Sequence, residues 1–203
     1  MGQLNRYTSK FFLKIVKFLG NFFIFLSLFL LFLIFGPVSV QEVNYQTRQI
    51  LNINPPLAPT NTDFSILIPK ITASAPIIAQ TDPFDKEKYT SALKKGVAHA
   101  QGSALPGQPG NVYLFAHSTD SFYNVGKYNA VFYLIGKLEK KDKIYIYYKS
   151  IKYTYEVTDK AIVNPEETKY LNRLSEENTL TLQTCYPPGT TFKRLIVIAK
   201  EIY

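Results

Sequence analysis

The sequence is poor in the residues that usually crosslink a fold or hold a structural metal. Its 203 residues include one cysteine and two histidines. A single thiol cannot form an intramolecular disulfide, so the fold has no covalent crosslink. One cysteine and two histidines far apart in the chain also do not make a structural zinc site. Stability must come from a hydrophobic core, for which a content of 46% hydrophobic residues is sufficient.

Charge of either sign is missing from Phe18 to Val40, a run of 23 residues rich in Phe, Leu and Ile. A helix that rises about 1.5 Å per residue needs about 20 residues to cross a bilayer core of about 30 Å. The apolar regions of signal peptides are shorter and end in a small-residue cleavage site, which the sequence from Phe35 to Ser39 lacks. We therefore expect an uncleaved transmembrane signal anchor over 18–40 rather than a cleaved signal peptide.

Acidic residues are absent from the first 40 positions, where the basic residues are Arg6, Lys10, Lys14 and Lys17. These four contribute half of the formal net charge of +8. Positive charge before an apolar helix favours a cytoplasmic N-terminus, with the rest of the chain on the far side. The expectation is a cytoplasmic tail over 1–17 and a single-pass protein of the cell membrane with an extracytoplasmic domain. Nucleic-acid binding is not expected, because no basic and aromatic stripe remains beyond the tail.

Proline and asparagine are concentrated between residues 41 and 62, which include Pro55, Pro56 and Pro59. This composition predicts a semi-extended extracytoplasmic linker over 41–62. The remaining residues, 63–203, are enough for one domain with its own core.

Short strand patterns separated by turn residues run through 63–203. Alternating apolar residues predict a strand over 64–68 and a hairpin over 144–157, and further strands are expected over 111–116, 179–184 and 195–202. Helices are expected over 83–95, with Asp82 as the N-cap, and briefly from Asn164 to Leu174. Many short strands joined by turns predict a mainly β, closed or nearly closed barrel with short helices.

Three side chains suited to thiol chemistry stand at strand ends. A catalytic thiol needs a neighbouring imidazole to hold its proton and a donor for the developing oxyanion. His117 and Cys185 each end a strand, and Arg194 begins the strand that follows the loop 186–193. If the first two strands are parallel neighbours, His117, Cys185 and Arg194 form a triad at one rim. The alternatives are a small buried cysteine, a structural histidine and a surface arginine. The second histidine, His99, is expected to be structural.

Thr181-Leu182-Gln183-Thr184-Cys185 resembles the TLxTC signature of sortases, the membrane-anchored cysteine transpeptidases of bacterial surfaces. The resemblance continues in other segments of the chain and spans residues 64 to 202. These segments are Phe64–Ile71, Gly96–Asn111, Ala116–Ser118 and Arg194–Val197. Together with the N-terminal anchor, they make the sortase resemblance specific.

The resemblance implies an eight-stranded sortase barrel that cleaves an LPxTG-like sorting signal between threonine and glycine. Cys185 would be the nucleophile and His117 the general acid and base. Arg194 would position the substrate and stabilise the oxyanion, and Thr184 would assist through its backbone or hydroxyl. The implied partners are the membrane, secreted proteins with a C-terminal sorting signal, and an amine acceptor such as a cell-wall precursor or a pilin lysine.

No cofactor or metal is expected. Glu166-Glu167 and Glu176-Glu177 resemble the acidic positions at which some sortases hold calcium, but a helix start and a solvated surface explain them better. Two other functions stay open: a membrane-tethered cysteine peptidase that hydrolyses its substrate, and a surface binding barrel whose cysteine is not catalytic.

Overall fold

A computed structural model describes residues 2–51, 53, 56–118, 131–171 and 177–202, with side chains described outside 2–11 and 33–41. The chain divides into two compact units, one ending at Asn44 and one beginning at Tyr45. Helix α1 runs from Gly2 to Leu51. Within its described residues, Phe12–Phe32 has a mean hydropathy of 2.2 and is long and apolar enough to cross a membrane.

The prediction of an extended linker from residue 41 is wrong for its first part, because α1 continues to Leu51. Residues 42–51 contain neither glycine nor proline and include Glu42, Gln46 and Arg48, all good helix formers. The prolines that suggested extension begin only at Pro55. Residues 52, 54 and 55 lie outside the described part of the chain.

Eight strands form a closed barrel, which confirms the predicted fold. They are β1 (Phe64–Ile68), β2 (Ala73–Thr81), β3 (Val97–Ala100), β4 (Asn111–Phe115), β5 (Lys143–Tyr148), β6 (Ile151–Val163), β7 (Thr179–Tyr186) and β8 (Lys193–Ile202). Around the barrel the order is β1-β2-β3-β4-β7-β8-β6-β5. The pairs β2–β3 and β4–β7 are parallel, and the other pairs are antiparallel.

Three short helices decorate the described part of the barrel: α2 (Lys86–Lys95) and 3₁₀ turns at Pro69–Ile71 and Tyr133–Lys137. Helix α2 begins later than predicted, because the Asp85 carboxylate, not that of Asp82, caps it by accepting from two amides of the first turn at 3.1 Å. Asp82 instead accepts from the Phe84 amide in the preceding turn, at 2.9 Å. The helix predicted from Asn164 is absent over 165–171, which are turns and coil; Leu174 lies outside the described residues.

Strands β4 and β7 each have two different faces. Four even-numbered residues, Val112, Leu114, Leu180 and Leu182, belong to the hydrophobic core and are at most 1% exposed. The odd-numbered residues of both strands point to the other face of the sheet, because side chains alternate along a strand. That face carries the half-exposed side chains of Gln183 and Cys185 and is therefore the outer face of the barrel.

His99 on β3 is a buried structural residue, as its sequence context suggested. Its Nδ1 accepts from the Gln80 amide at 3.3 Å, and its Nε2 lies 3.0 Å from the Ala104 carbonyl oxygen. Because a carbonyl only accepts, Nε2 carries the proton and the ring is neutral. Burial lowers the pKa of His99 below its ordinary value, and the Ala104 carbonyl partly opposes that shift.

We predict that the barrel loses stability as the pH falls below about 6.5, the ordinary pKa of an unfolded histidine. The unfolded state then binds a proton that the folded His99 excludes, so the free energy of unfolding falls by at most about 1.4 kcal/mol per pH unit. Urea unfolding of the full chain in detergent, followed by tyrosine fluorescence from pH 7.5 to 5.5, measures this. The fall in the free energy of unfolding should persist in His117→Gln and disappear in His99→Gln. The reverse pattern would contradict the assignment of this pH dependence to His99.

Candidate active site

The register of three adjacent strands brings His117, Cys185 and Arg194 into one row. In the parallel pair β4–β7, Phe115 lies opposite Gln183, and the Ala116 amide donates to the Gln183 carbonyl at 3.1 Å. Continuing this register by two residues places His117 beside Cys185. In the antiparallel pair β7–β8, Arg194 is the direct partner of Cys185. Directly paired residues face the same side of a sheet, so the thiol lies between an imidazole and a guanidinium.

Cys185 is half-exposed, so the alternative of a small buried cysteine does not fit the structure. His117 and Arg194 are also half-buried. The row therefore combines access from solvent with partial shielding, which a reactive thiol requires.

Arg194 is fixed by its own loop. Its Nη1 donates to the carbonyls of Thr191 and Lys193, each at 3.1 Å. These bonds use only one nitrogen of the planar guanidinium fork, and the donors on Nε and Nη2 take no part in holding the loop. Because the group stays charged at every relevant pH, it is suited to stabilise a negative charge beside Cys185.

Thr184 does not present its hydroxyl to the row. Its side chain is 3% exposed, lies on the core face, and donates from Oγ1 to the Ala116 carbonyl at 2.9 Å. The hydroxyl is therefore not placed to contact a substrate at the row, and assistance through the Thr184 backbone, the other form of the expectation, stays a prediction. Instead, the bond ties β7 to the residue directly before His117, which makes Thr184 a positioning residue.

The segment between β6 and β7 is hydrogen-bonded to the barrel at two points, one next to the row and one at the opposite end of β4. Near its start, the Lys193 ammonium donates to Asn164 Oδ1 at 2.6 Å. Further along, Asn111 donates from Nδ2 to the Tyr170 carbonyl at 3.1 Å. Asn111 also accepts from the hydroxyls of Thr179 and Thr181. The Asn164 end of the segment is therefore tied next to Arg194, and Tyr170 is tied to the start of β4.

Sequence reasoning missed several polar residues on the outer face: Asn111, Tyr113 and Gln183. Each lies an even number of residues from His117 or Cys185 on the same strand, so period-two alternation applied to β4 and β7 would have found them. Tyr113 donates its hydroxyl hydrogen bond to Gln183 Oε1 across the strand pair.

Within the described residues, no group of three or more His, Cys, Asp or Glu side chains is arranged to hold a metal ion. Of the acidic residues considered for calcium, Glu167 pairs with Lys169 at 3.5 Å and Glu177 pairs with Lys200 at 2.6 Å. Glu176 lies outside the described residues.

Comparison with known proteins gives a consistent result. Residues 66–202 match the family model described as the Sortase domain. A curated relative, Sortase D of Bacillus subtilis (strain 168), is 33% identical over 138 residues. That match covers 66% of this chain and 61% of the relative, so the chain spans less than two thirds of the relative's length.

Solved structures show the same similarity in three dimensions. Sortase A from Corynebacterium diphtheriae, as a lid mutant, superposes with a TM-score of 0.58 and 31% identity over 74% of this chain and 75% of that chain. A Sortase D5 transpeptidase from Clostridium perfringens superposes with a TM-score of 0.57 and 26% identity, covering 79% and 89% of the two chains.

We predict that Thr184→Val lowers the free energy of unfolding by about 1–2 kcal/mol, because it leaves the buried Ala116 carbonyl without this donor. Thr184→Ser keeps a hydroxyl and is the matched control, which should retain most of the stability. Urea unfolding of both full-length variants in detergent measures the difference. Equal stability of Thr184→Val and the original protein would contradict the role assigned to this bond.

Proposed function

The chain belongs to the sortase family, and from that premise we propose that it is a cysteine transpeptidase acting on an LPxTG-like sorting signal. The observation that carries the proposal is the row of His117, Cys185 and Arg194 across three paired strands. A nucleophile, a proton carrier and a permanent cation on neighbouring strands supply what acyl transfer from a peptide needs.

In the first half of the reaction, the Cys185 thiolate attacks the carbonyl carbon of the signal's threonine. The carbonyl electrons move to oxygen, and the Arg194 guanidinium stabilises this oxyanion. When the carbonyl re-forms, the bond to the glycine nitrogen breaks and His117 gives that nitrogen a proton. The products are a free amine and a thioester between Cys185 and the threonine.

In the second half, an acceptor amine attacks the thioester carbonyl. His117 takes the proton that the amine loses as the new amide bond forms. The sulfur leaves as the thiolate, which restores the starting state. Thr184 acts indirectly, by holding the backbone that precedes His117.

The apolar N-terminal helix supports a membrane-anchored location for this reaction. Its basic flank favours an N-terminus in the cytoplasm and a barrel outside the membrane. The domain division proposed is a tail over 1–17, an anchor over 18–40, a linker over 41–62 that is helical as far as Leu51, and a catalytic barrel over 63–203. The proposed partners are secreted proteins with a C-terminal sorting signal and an amine of the cell wall or of a pilin lysine.

Hydrolysis by the same thiol is the second candidate function. It differs only in the acceptor, which would be water instead of an amine. The half-exposed Cys185 favours either reaction over a binding barrel without catalysis.

We predict that the full chain in detergent forms a covalent acyl adduct with an LPxTG peptide and transfers the acyl group to triglycine. Intact-mass spectrometry detects the adduct, and chromatography separates the ligated product from the free acid. Cys185→Ala should lose both the adduct and the product, because it removes the only thiol.

The outcomes separate the candidates. Product formation by Cys185→Ala would contradict the proposal that the Cys185 thiol is the nucleophile. Release of the free acid alone, with triglycine in excess, would favour hydrolysis over transfer.

A further inference from the structure

Two polar residues that the proposed mechanism does not use lie on the same face as the catalytic row. Gln183 is two residues before Cys185 on β7, and Tyr113 is four residues before His117 on β4. Period-two alternation puts both side chains on the outer face. Tyr113 is opposite Thr181, and Gln183 is opposite Phe115, so the pair reaches diagonally across the parallel strands.

Tyr113 has a fixed donor role in this pair. Its ring is 3% exposed, and its hydroxyl donates to Gln183 Oε1. Burial raises the pKa of Tyr113, while the positive charge of Arg194 opposes that rise, so the hydroxyl keeps its proton at neutral pH. Because the charge of Arg194 acts on the Tyr113 pKa, its guanidinium lies close enough to interact electrostatically with the pair.

The hydrogen bond determines which way the Gln183 amide is turned. Because Oε1 accepts from Tyr113, the Nε2 group and its N–H donors are directed away from that hydroxyl. Gln183 is half-buried, whereas its partner on β8, Ile196, is fully buried. Gln183 is therefore accessible from solvent at a position where its partner across the strand is covered.

Gln183 lies about 7 Å from Cys185 along the strand, at about 3.3 Å per residue. An extended peptide has the same repeat. If such a peptide runs along β7 with the carbonyl under attack at the Cys185 sulfur, another of its backbone carbonyls lies at the level of Gln183. An N–H donor on a half-buried side chain, oriented by Tyr113 at that level, matches a peptide carbonyl.

We propose that Gln183 is a substrate-binding residue whose Nε2 donates to a backbone carbonyl of the bound sorting signal, and that Tyr113 is the positioning residue that orients its amide. This inference rests on the proposed function and assigns to this strand pair a binding role in addition to its structural one. The competing explanation is structural: the pair only ties β4 to β7.

Gln183→Glu separates the two explanations. A glutamate keeps the shape and the oxygen that accepts from Tyr113, but it has no N–H donor to offer a peptide carbonyl. Stability should therefore be unchanged while peptide binding weakens. Gln183→Met removes the donor without adding charge near Arg194, and Tyr113→Phe leaves the amide in place but unoriented.

The experiment uses the full chain in detergent and an LPxTG peptide with alanine at x, so that only backbone carbonyls can accept. The KM and kcat of acyl transfer are measured for each variant. Binding of the fluorescent peptide is measured with each substitution placed in Cys185→Ala.

We expect KM and the dissociation constant to rise about tenfold in Gln183→Glu and Gln183→Met and about threefold in Tyr113→Phe. The value of kcat should change less than twofold, and Gln183→Glu should unfold at the same urea concentration as the original protein.

Unchanged peptide affinity in Gln183→Glu would overturn the inference. Weaker peptide binding in Gln183→Glu but not in Gln183→Met would also overturn it, because the added negative charge near Arg194 would then be the cause. If the original protein forms its acyl adduct while all three variants bind the peptide normally, only this inference fails. If Cys185→Ala binds no peptide and the original protein forms no adduct, the inference and the proposed function fail together.

Discussion

The parallel pairing of β4 with β7 is the constraint on which the candidate site depends. These strands are separated by more than 60 residues of sequence, and only their register brings His117 level with Cys185. The antiparallel partner β8 then adds Arg194 on the other side of the thiol. A slip of one residue in either pair would turn one member of the row toward the core, because side chains alternate across a strand.

The two faces of the β4–β7 pair have different roles: one packs into the core, and the other carries the candidate site. The core face is apolar apart from Thr184, whose hydroxyl is used by the Ala116 carbonyl. The outer face carries the network around Asn111, the Tyr113–Gln183 pair and the thiol, with the buried Phe115 between Tyr113 and His117. Closing the sheet into a barrel buries the first face. The segment 164–171 contacts the second face through the hydrogen bond from Asn111 to the Tyr170 carbonyl.

The barrel and the hairpin of β5 and β6 could be predicted from the sequence, because alternating apolar residues and the TLxTC resemblance are local signals. The catalytic triad of His117, Cys185 and Arg194 stays a prediction. Strands β2 and β3 were missed, and so was the start of α2, since the choice between Asp82 and Asp85 as the cap depends on the fold. Period-two alternation alone would have turned the Thr184 side chain away from Cys185, but its acceptor, the Ala116 carbonyl, depends on the pairing of β4 with β7. The Tyr113–Gln183 bond joins residues 70 positions apart and has no local signal.

The most direct test of the central register uses the single native cysteine. In His117→Cys the two thiols should lie on adjacent strands about 4.8 Å apart at Cα, within the range of about 4.4–6.8 Å for a disulfide. Mild oxidation should then form an intramolecular disulfide, seen as the loss of both free thiols and of two hydrogens in the intact mass. Phe115→Cys, about 7 Å further along the strand, should keep both thiols. Free thiols in His117→Cys, or a disulfide in Phe115→Cys, would contradict the account.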